Sequence, residues 1–300
     1  MRGEAYQATR SSRLNPPMSS TLVSTEQLAA QLDNPDWVVI DCRFTLTDPA
    51  AGRNAYAVNH IQGARYAHLD DDLASPITAH SGRHPLPDAE TLCAKLGAWG
   101  VGSRSQVVVY DDSFGSMAVR LWWLLRWLGH DQVALLDGGL PKWQREKRAM
   151  SNALPVIAPQ VFQCKLNAAM NVDAAMVEAI RQSPAHRLID ARPEQRFSGE
   201  REPLDKVAGH IPGSINWVFE ENLDFDGTYL PPDELRAAYL PLLGGTAPEN
   251  VVHTCGSGVT ASHNLLAMEI AGLSGSRLYP GSWSEWITDP ARPVASGDVG

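Results

Sequence analysis

A chain of 300 residues suggests about two domains, each large enough to bury its own core. Its 44% apolar and 20% charged residues are the balance of an ordinary globular protein. The formal net charge of −9 argues against nucleic acid or an anionic membrane as partner, so an anionic ligand must be drawn in by particular basic residues and backbone dipoles.

Residues 1–20 contain Arg2, Arg10 and Arg13 but no apolar run, so they are not a secretory signal. They read as a disordered extension, with a weak organelle-targeting segment as the alternative. Ser24-Thr25-Glu26-Gln27 fits a capping box opening a helix through Leu32. Trp37-Val38-Val39-Ile40-Asp41 predicts a buried parallel strand ending in an acid, and Val107-Val108-Val109-Tyr110 a second. Val119 to Leu128 predicts a core helix ended by Gly129; its apolar patch Leu121-Trp122-Trp123-Leu124-Leu125 is interrupted by Arg126, far short of a membrane span. Val133-Ala134-Leu135-Leu136 is a third strand closed by Asp137-Gly138-Gly139, and Pro141 suits the first turn of the helix carrying Trp143. Strands alternating with helices imply an α/β fold with mostly parallel sheets.

The same order of parts then recurs. Leu188-Ile189-Asp190-Ala191-Arg192 echoes Val39-Ile40-Asp41-Cys42-Arg43, and Gly209-His210-Ile211-Pro212-Gly213 echoes Asn59-His60-Ile61-Gln62-Gly63. An offset of 143 relates Trp143 to Trp286 and places Asp112 at the position of Cys255. Two copies of one domain follow: 21–150 without a nucleophile, a Pro-containing linker over 151–165, and a catalytic copy over 166–295. His60 and His210 are expected to orient turns, and the tryptophans to pack the core and the contact between copies.

The chemistry concentrates in His253-Thr254-Cys255-Gly256-Ser257-Gly258-Val259-Thr260-Ala261, between an apolar strand and a helix expected to begin near Val259. Two glycines let the loop curl its N–H groups inward, and the helix adds its positive dipole end. Cys255 in such a cradle should be a thiolate, since thiols at helix N-termini or beside cations have pKa values of roughly 3.5–7.5. A buried structural cysteine is the alternative. The other cysteines, Cys42, Cys93 and Cys164, show no close or metal-type spacing and read as structural thiols of a reducing, cytoplasmic compartment, in a chain that needs no disulfide.

The loop from Cys255 to Ala261, together with Arg277-Leu278-Tyr279-Pro280-Gly281-Ser282-Trp283-Ser284-Glu285-Trp286, Gly209 to Gly213 and Asp137-Gly138-Gly139, resembles the two-domain rhodanese family, and its mercaptopyruvate branch more than its thiosulfate branch, whose loop carries two basic residues after the cysteine. The resemblance implies tandem rhodanese-like domains, each a mostly parallel sheet flanked by helices. It further implies sulfur transfer from 3-mercaptopyruvate or thiosulfate, through a persulfide on Cys255, to cyanide or to a thiol such as thioredoxin or a low-molecular-weight thiol, with no metal or organic cofactor. Position by position it makes Ser257, His84 and Asp70 partners of Cys255, Arg196 the arginine for the substrate carboxylate, and the backbone of Gly256, Gly258, Val259 and Thr260 the anion cradle. Asp70 also fits a solvated acidic run, Asp70-Asp71-Asp72. A second substrate arginine of the branch has no counterpart between Ser198 and Ala208, where Arg201 or Lys206 would have to replace it.

Two rival readings follow from the same loop. A cysteine phosphatase needs an arginine six positions after its cysteine, and position 261 is Ala. A sulfur carrier or redox sensor would hold a persulfide without turning over a small donor, as steady-state product release would reveal.

Overall fold

The computed structural model describes residues 21–297, so the reading of 1–20 as an extension falls outside them. Two parallel sheets organise the chain. The first runs in the order Leu22–Val23, Val133–Leu136, Gln106–Tyr110, Trp37–Asp41, Arg65–Tyr66. The second runs Arg277–Leu278, Val251–Thr254, Arg187–Asp190, Ser214–Asn216. The strands foreseen as apolar runs are those buried on both faces at the sheet centres, as parallel sheets covered by helices require. The short outer strands carry no such run and were not foreseen. No helix among the described residues is long and apolar enough to cross a membrane.

Two helices join the halves. Ala118–Trp127 is buried at every position but Arg126, and Ala261–Ile270 is buried from Ala261 through Met268. A helix with no polar face must be covered all round. These two pack together, and one continuous core runs from Val38 and Val107 of the first sheet through Leu121, Leu125, Leu265 and Leu266 to Ile189 and Val251 of the second. The outer faces have their own smaller cores, around Val39, Leu136 and Trp143 in one half and Val252, Trp283 and Trp286 in the other.

The repeat is visible atom by atom. Arg43 Nη2 binds Asp41 Oδ2 at 2.7 Å and donates to the Asn59 carbonyl; Arg192 Nη2 binds Asp190 Oδ2 at 2.8 Å and donates to the Gly209 carbonyl. His60 and His210 hydrogen-bond through Nδ1, at 2.8 Å, to the carbonyls of Tyr56 and Phe197 and stack on those residues' rings; His60 Nε2 also reaches the Ala153 carbonyl at 3.2 Å. Each thereby ties its segment to the end of a helix, Ala51–Val58 in one half and Glu194–Phe197 in the other.

Two sequence expectations are corrected. Strand register pairs Asp41 with Tyr110 and Asp190 with Thr254, so the counterpart of Cys255 is Asp111, not the exposed Asp112. The Asp111 carbonyl accepts from Leu140 N as the Cys255 carbonyl accepts from Trp283 N. The offset of 143, which holds across the tryptophans, slips by one at this loop. Second, Cys93 and Cys164 form a disulfide. They are separated by 71 positions, but residues 152–167 turn back along the first half, where Gln160 N donates to Gly97 O and Lys165 N to Leu128 O, both at 2.9 Å. Only Cys42 and Cys255 are free thiols.

Candidate active site

Cys255 follows the strand Val251–Thr254, at the carboxyl end of the sheet where α/β folds place ligands. Its backbone is held from behind: Cys255 N donates to Ser282 Oγ at 3.1 Å, and the Cys255 and Gly256 carbonyls accept from Trp283 N and Ser284 N. The chain can close this tightly because Gly258 has φ +74°, and any β-carbon there would collide with the Pro280 carbonyl. The helix starts at Ala261, two residues later than expected. Gly258 N points at Cys255 Sγ at 3.2 Å, while the N–H groups of Gly256, Ser257, Val259 and Thr260 have no partner among the described residues. The first half shows what such a loop accepts. There Asp111 folds into its own loop, its carboxylate taking the N–H groups of Ser113, Gly115, Met117 and Ala118, all at 2.8 Å. That cradle is filled by a built-in anion.

A cleft of about 210 Å³ opens on Cys255. Gly256, Ser257, Val259 and Thr260 line it from the loop, Arg192, Pro193, Arg196 and Phe219 from the rest of the second half, and Leu46, Leu69, Arg83, His84, Ser116 and Met117 from the first. The cleft therefore lies between the halves. His84 is 4% exposed, with Nδ1 2.7 Å from Ser257 Oγ and Nε2 3.3 Å from Asp70 Oδ1. Burial, with help from the nearby Arg120 and Arg83 guanidiniums, pushes its pKa down to about 3, so the ring is neutral. With the Asp70 carboxylate facing Nε2, a neutral ring that keeps its proton on Nε2 has Nδ1 to accept the Ser257 hydroxyl proton. Asp70 itself stands on the short helix Leu69–Asp72 with its side chain 42% exposed, so the acidic run is solvated and still touches His84. Its carboxyl is raised by partial burial and by Asp71, against the pull of His68.

Arg196 reaches the cleft from the helix Glu194–Phe197. Its Nε is gripped by both oxygens of Glu202 at 3.0 Å, and Nη2 binds Asp205 Oδ2 at 3.0 Å. Arg201 and Lys206 are exposed and do not line the cleft, so neither replaces the second arginine. Two arginines of the first half were missed. Arg83 lines the cleft beside Gly256 and pairs with Asp205. Arg120, fully buried, donates from Nη1 to the Gly258 carbonyl and from Nη2 to the His84 carbonyl, both at 3.0 Å. Burial lowers its pKa to about 10, opposed by the nearby Cys255 sulfur, which would favour the charged guanidinium as a thiolate. Arg120 lies inside a helix that reads as wholly apolar around it. A buried charge in a core stripe is the only sequence signal it left.

The arrangement offers a buried sulfur over open N–H groups, a neutral imidazole with a hydroxyl beside it, and guanidiniums at the wall. That set can hold and transfer a charged sulfur atom. Comparison with known proteins identifies the family. The rhodanese-like domain family matches residues 24–146 and 173–289. A Pseudomonas aeruginosa protein described as "Probable 3-mercaptopyruvate sulfurtransferase" is 50% identical over 93% of this chain and 99% of its own. The human 3-mercaptopyruvate sulfurtransferase is 34% identical over 93% and 95%. The solved structure of 3-mercaptopyruvate sulfurtransferase from Leishmania major, 28% identical, superposes with a TM-score of 0.79 over 89% of this chain and 74% of that one.

Proposed function

The chain belongs to the tandem-domain rhodanese family of sulfurtransferases, and from that premise we propose that it transfers a sulfur atom from 3-mercaptopyruvate, through a persulfide on Cys255, to a thiol. The observation that carries this reading is the 2.7 Å contact between His84 Nδ1 and Ser257 Oγ beside the Cys255 loop. A leaving pyruvate enolate needs a proton, whereas sulfite leaving from thiosulfate does not.

The Cys255 thiolate attacks the donor's thiol sulfur. The S–S bond forms as the C–S bond breaks, and its electron pair departs as the enolate. The thiol proton, relayed through Ser257 and His84, ends on the methyl carbon of pyruvate, leaving Cys255 with an anionic persulfide. The N–H groups of Gly256, Ser257, Gly258, Val259 and Thr260 hold that anion, as the first half's loop holds the Asp111 carboxylate. An acceptor thiolate then takes the outer sulfur and releases the Cys255 thiolate. Arg196 holds the donor carboxylate, and Asp70 keeps His84 in the tautomer the relay requires. The division into a supporting half over 21–150 and a catalytic half over 166–295 is part of this reading, with thioredoxin or a low-molecular-weight thiol as acceptor. So is a cytoplasmic setting.

Incubation with 3-mercaptopyruvate alone should give a protein heavier by one sulfur on Cys255, with release of pyruvate; dithiothreitol should remove that sulfur, and Cys255→Ser should not acquire it. The reading fails if the sulfur maps to another cysteine, or if thiosulfate outperforms mercaptopyruvate in kcat/KM.

A further inference from the structure

A second cavity, of about 380 Å³, lies at the amino end of the first sheet, where Trp37–Asp41, Arg65–Tyr66 and Gln106–Tyr110 begin. It shares no lining residue with the Cys255 cleft. The turn from Gly100 to Ser105 forms one side, and the returning linker at Ala158 and Gln160 forms another. We infer that this cavity is a binding site for a phosphate group, built on Arg65, Arg104, Ser103 and Asp36.

Arg65 is a half-buried cation with no ion pair among the described residues. Its Nε donates to the Trp99 carbonyl at 2.9 Å and its Nη1 to the Gly63 carbonyl at 3.0 Å, which fixes the guanidinium and leaves Nη2 without a hydrogen-bond partner among those residues. Nη2 lies between the turn and the linker: a β-carbon built on Gly100 would sit 3.4 Å from it and 3.2 Å from the Ala158 carbonyl. Burial pushes the Arg65 pKa down, opposed by Tyr56 and by no carboxylate. The sheet does not need this charge. Arg65 pairs with Ile40 as Ile215 pairs with Ile189 in the second half, so the other copy builds the same strand with an isoleucine. A partly desolvated guanidinium without a counter-ion is costly, and an anion in the cavity removes that cost.

The groups around Arg65 suit a dianion. Arg104 also lines the cavity without an ion pair, and the Ser103 hydroxyl and the N–H groups of Ser103 and Arg104 have no hydrogen-bond partner among the described residues. The turn itself is braced, with Gly102 N donating to Ser105 Oγ at 2.9 Å and Ser105 N to the Gly102 carbonyl at 3.1 Å. Two guanidiniums and two turn N–H groups match several oxygens of one ion. Asp36 is the one carboxylate in the lining, and it pairs with neither arginine. A carboxylate accepts hydrogen bonds and donates none, so it repels sulfate, which has no proton to give. It takes the proton of monohydrogen phosphate, or a hydroxyl carried on a phosphate ester.

Isothermal titration calorimetry of the full chain at pH 7.5 and matched ionic strength, with inorganic phosphate, sulfate and glycerol 3-phosphate in turn, tests the site. Phosphate should bind more tightly than sulfate by about 5-fold or more, the worth of one hydrogen bond. Arg65→Gln should weaken phosphate binding about 10–100-fold, the range for a lost hydrogen bond to a charged group. Arg104→Gln, at an exposed side chain whose loss does not threaten folding, should weaken it about 2–5-fold. Asp36→Asn should narrow the ratio of phosphate to sulfate affinity toward one. The tighter of free phosphate and glycerol 3-phosphate then names the source of the group. The inference is overturned if the wild type binds no phosphate, if sulfate binds as well as phosphate, or if Arg104→Gln and Asp36→Asn both behave as wild type. Binding that survives these variants but is lost in Arg196→Ala also overturns it, since the ion then sits in the Cys255 cleft.

Discussion

Asp111 occupies in the first half the place that Cys255 occupies in the second, directly after the strand that pairs with the Asp-Arg motif. Its carboxylate satisfies four N–H groups of that half's own loop, the kind of anion cradle we propose the Cys255 loop offers to sulfur. Asp111→Ala strips four N–H groups, two of them buried and two half-buried, of their acceptor and should cost about 3 kcal/mol of stability, while Cys255 still takes up sulfur. Urea unfolding alongside persulfide mass spectrometry checks both halves of this expectation.

Gly258→Ala should lose at least about 100-fold in kcat/KM for the donor, because the position combines a positive φ with closest approach to the Pro280 carbonyl. Relieving that collision moves Gly258 N away from the Cys255 sulfur. Gly245→Ala, also at positive φ but with nothing within 4 Å of its added carbon, serves as the control and should leave kinetics unchanged.

His84 should not appear in the pH–rate profile above about pH 5, since burial and its arginine neighbours keep it neutral to about pH 3. His84→Gln should lower kcat for mercaptopyruvate by about 100-fold, the typical worth of a positioned proton donor. A wild-type inflection near pH 6.5 that disappears in His84→Gln would show the ring titrating in the working range.

Three buried histidines, His84, His253 and His263, have pKa values lowered to about 3, chiefly by burial. Each binds fewer protons folded than unfolded. Their contribution is therefore complete above the unfolded pKa near 6.5 and shrinks as pH falls from there toward 3. At pH 5.5 the loss is about 1 kcal/mol per histidine. Urea midpoints at pH 7.5 and 5.5 should reveal it, and His253→Gln should flatten the slope.

Arg120→Met should destabilise the chain by about 2 kcal/mol, leaving the Gly258 and His84 carbonyls without their donor. Because those carbonyls belong to the cysteine loop and the histidine segment, kcat should fall as well. Arg120→Lys, which can reach only part of this geometry, should restore stability better than rate. Thermal unfolding and steady-state kinetics on the two variants separate these effects.

The central strands, the core helices, the repeat and the Cys255 loop were legible because each is written in local pattern: apolar runs, a capping box, a Gly-x-Gly after a strand. His84, Asp70 and Arg196 were placed only by resemblance to a family; the structure puts His84 and Arg196 on the cleft wall and Asp70, outside its lining, against His84, which also contacts Ser257. What tertiary structure alone decided lies between distant segments. Arg83 meets Asp205 across 122 positions and Arg120 meets Gly258 across 138, and Cys93 closes on Cys164 across 71. None of these pairs leaves a periodicity, since each depends on how the two halves are stacked and how the linker turns back. The one-residue slip from Asp112 to Asp111 has the same origin. Hydrogen-bond register between strands is a property of the sheet, and a spacing counted along the chain does not contain it.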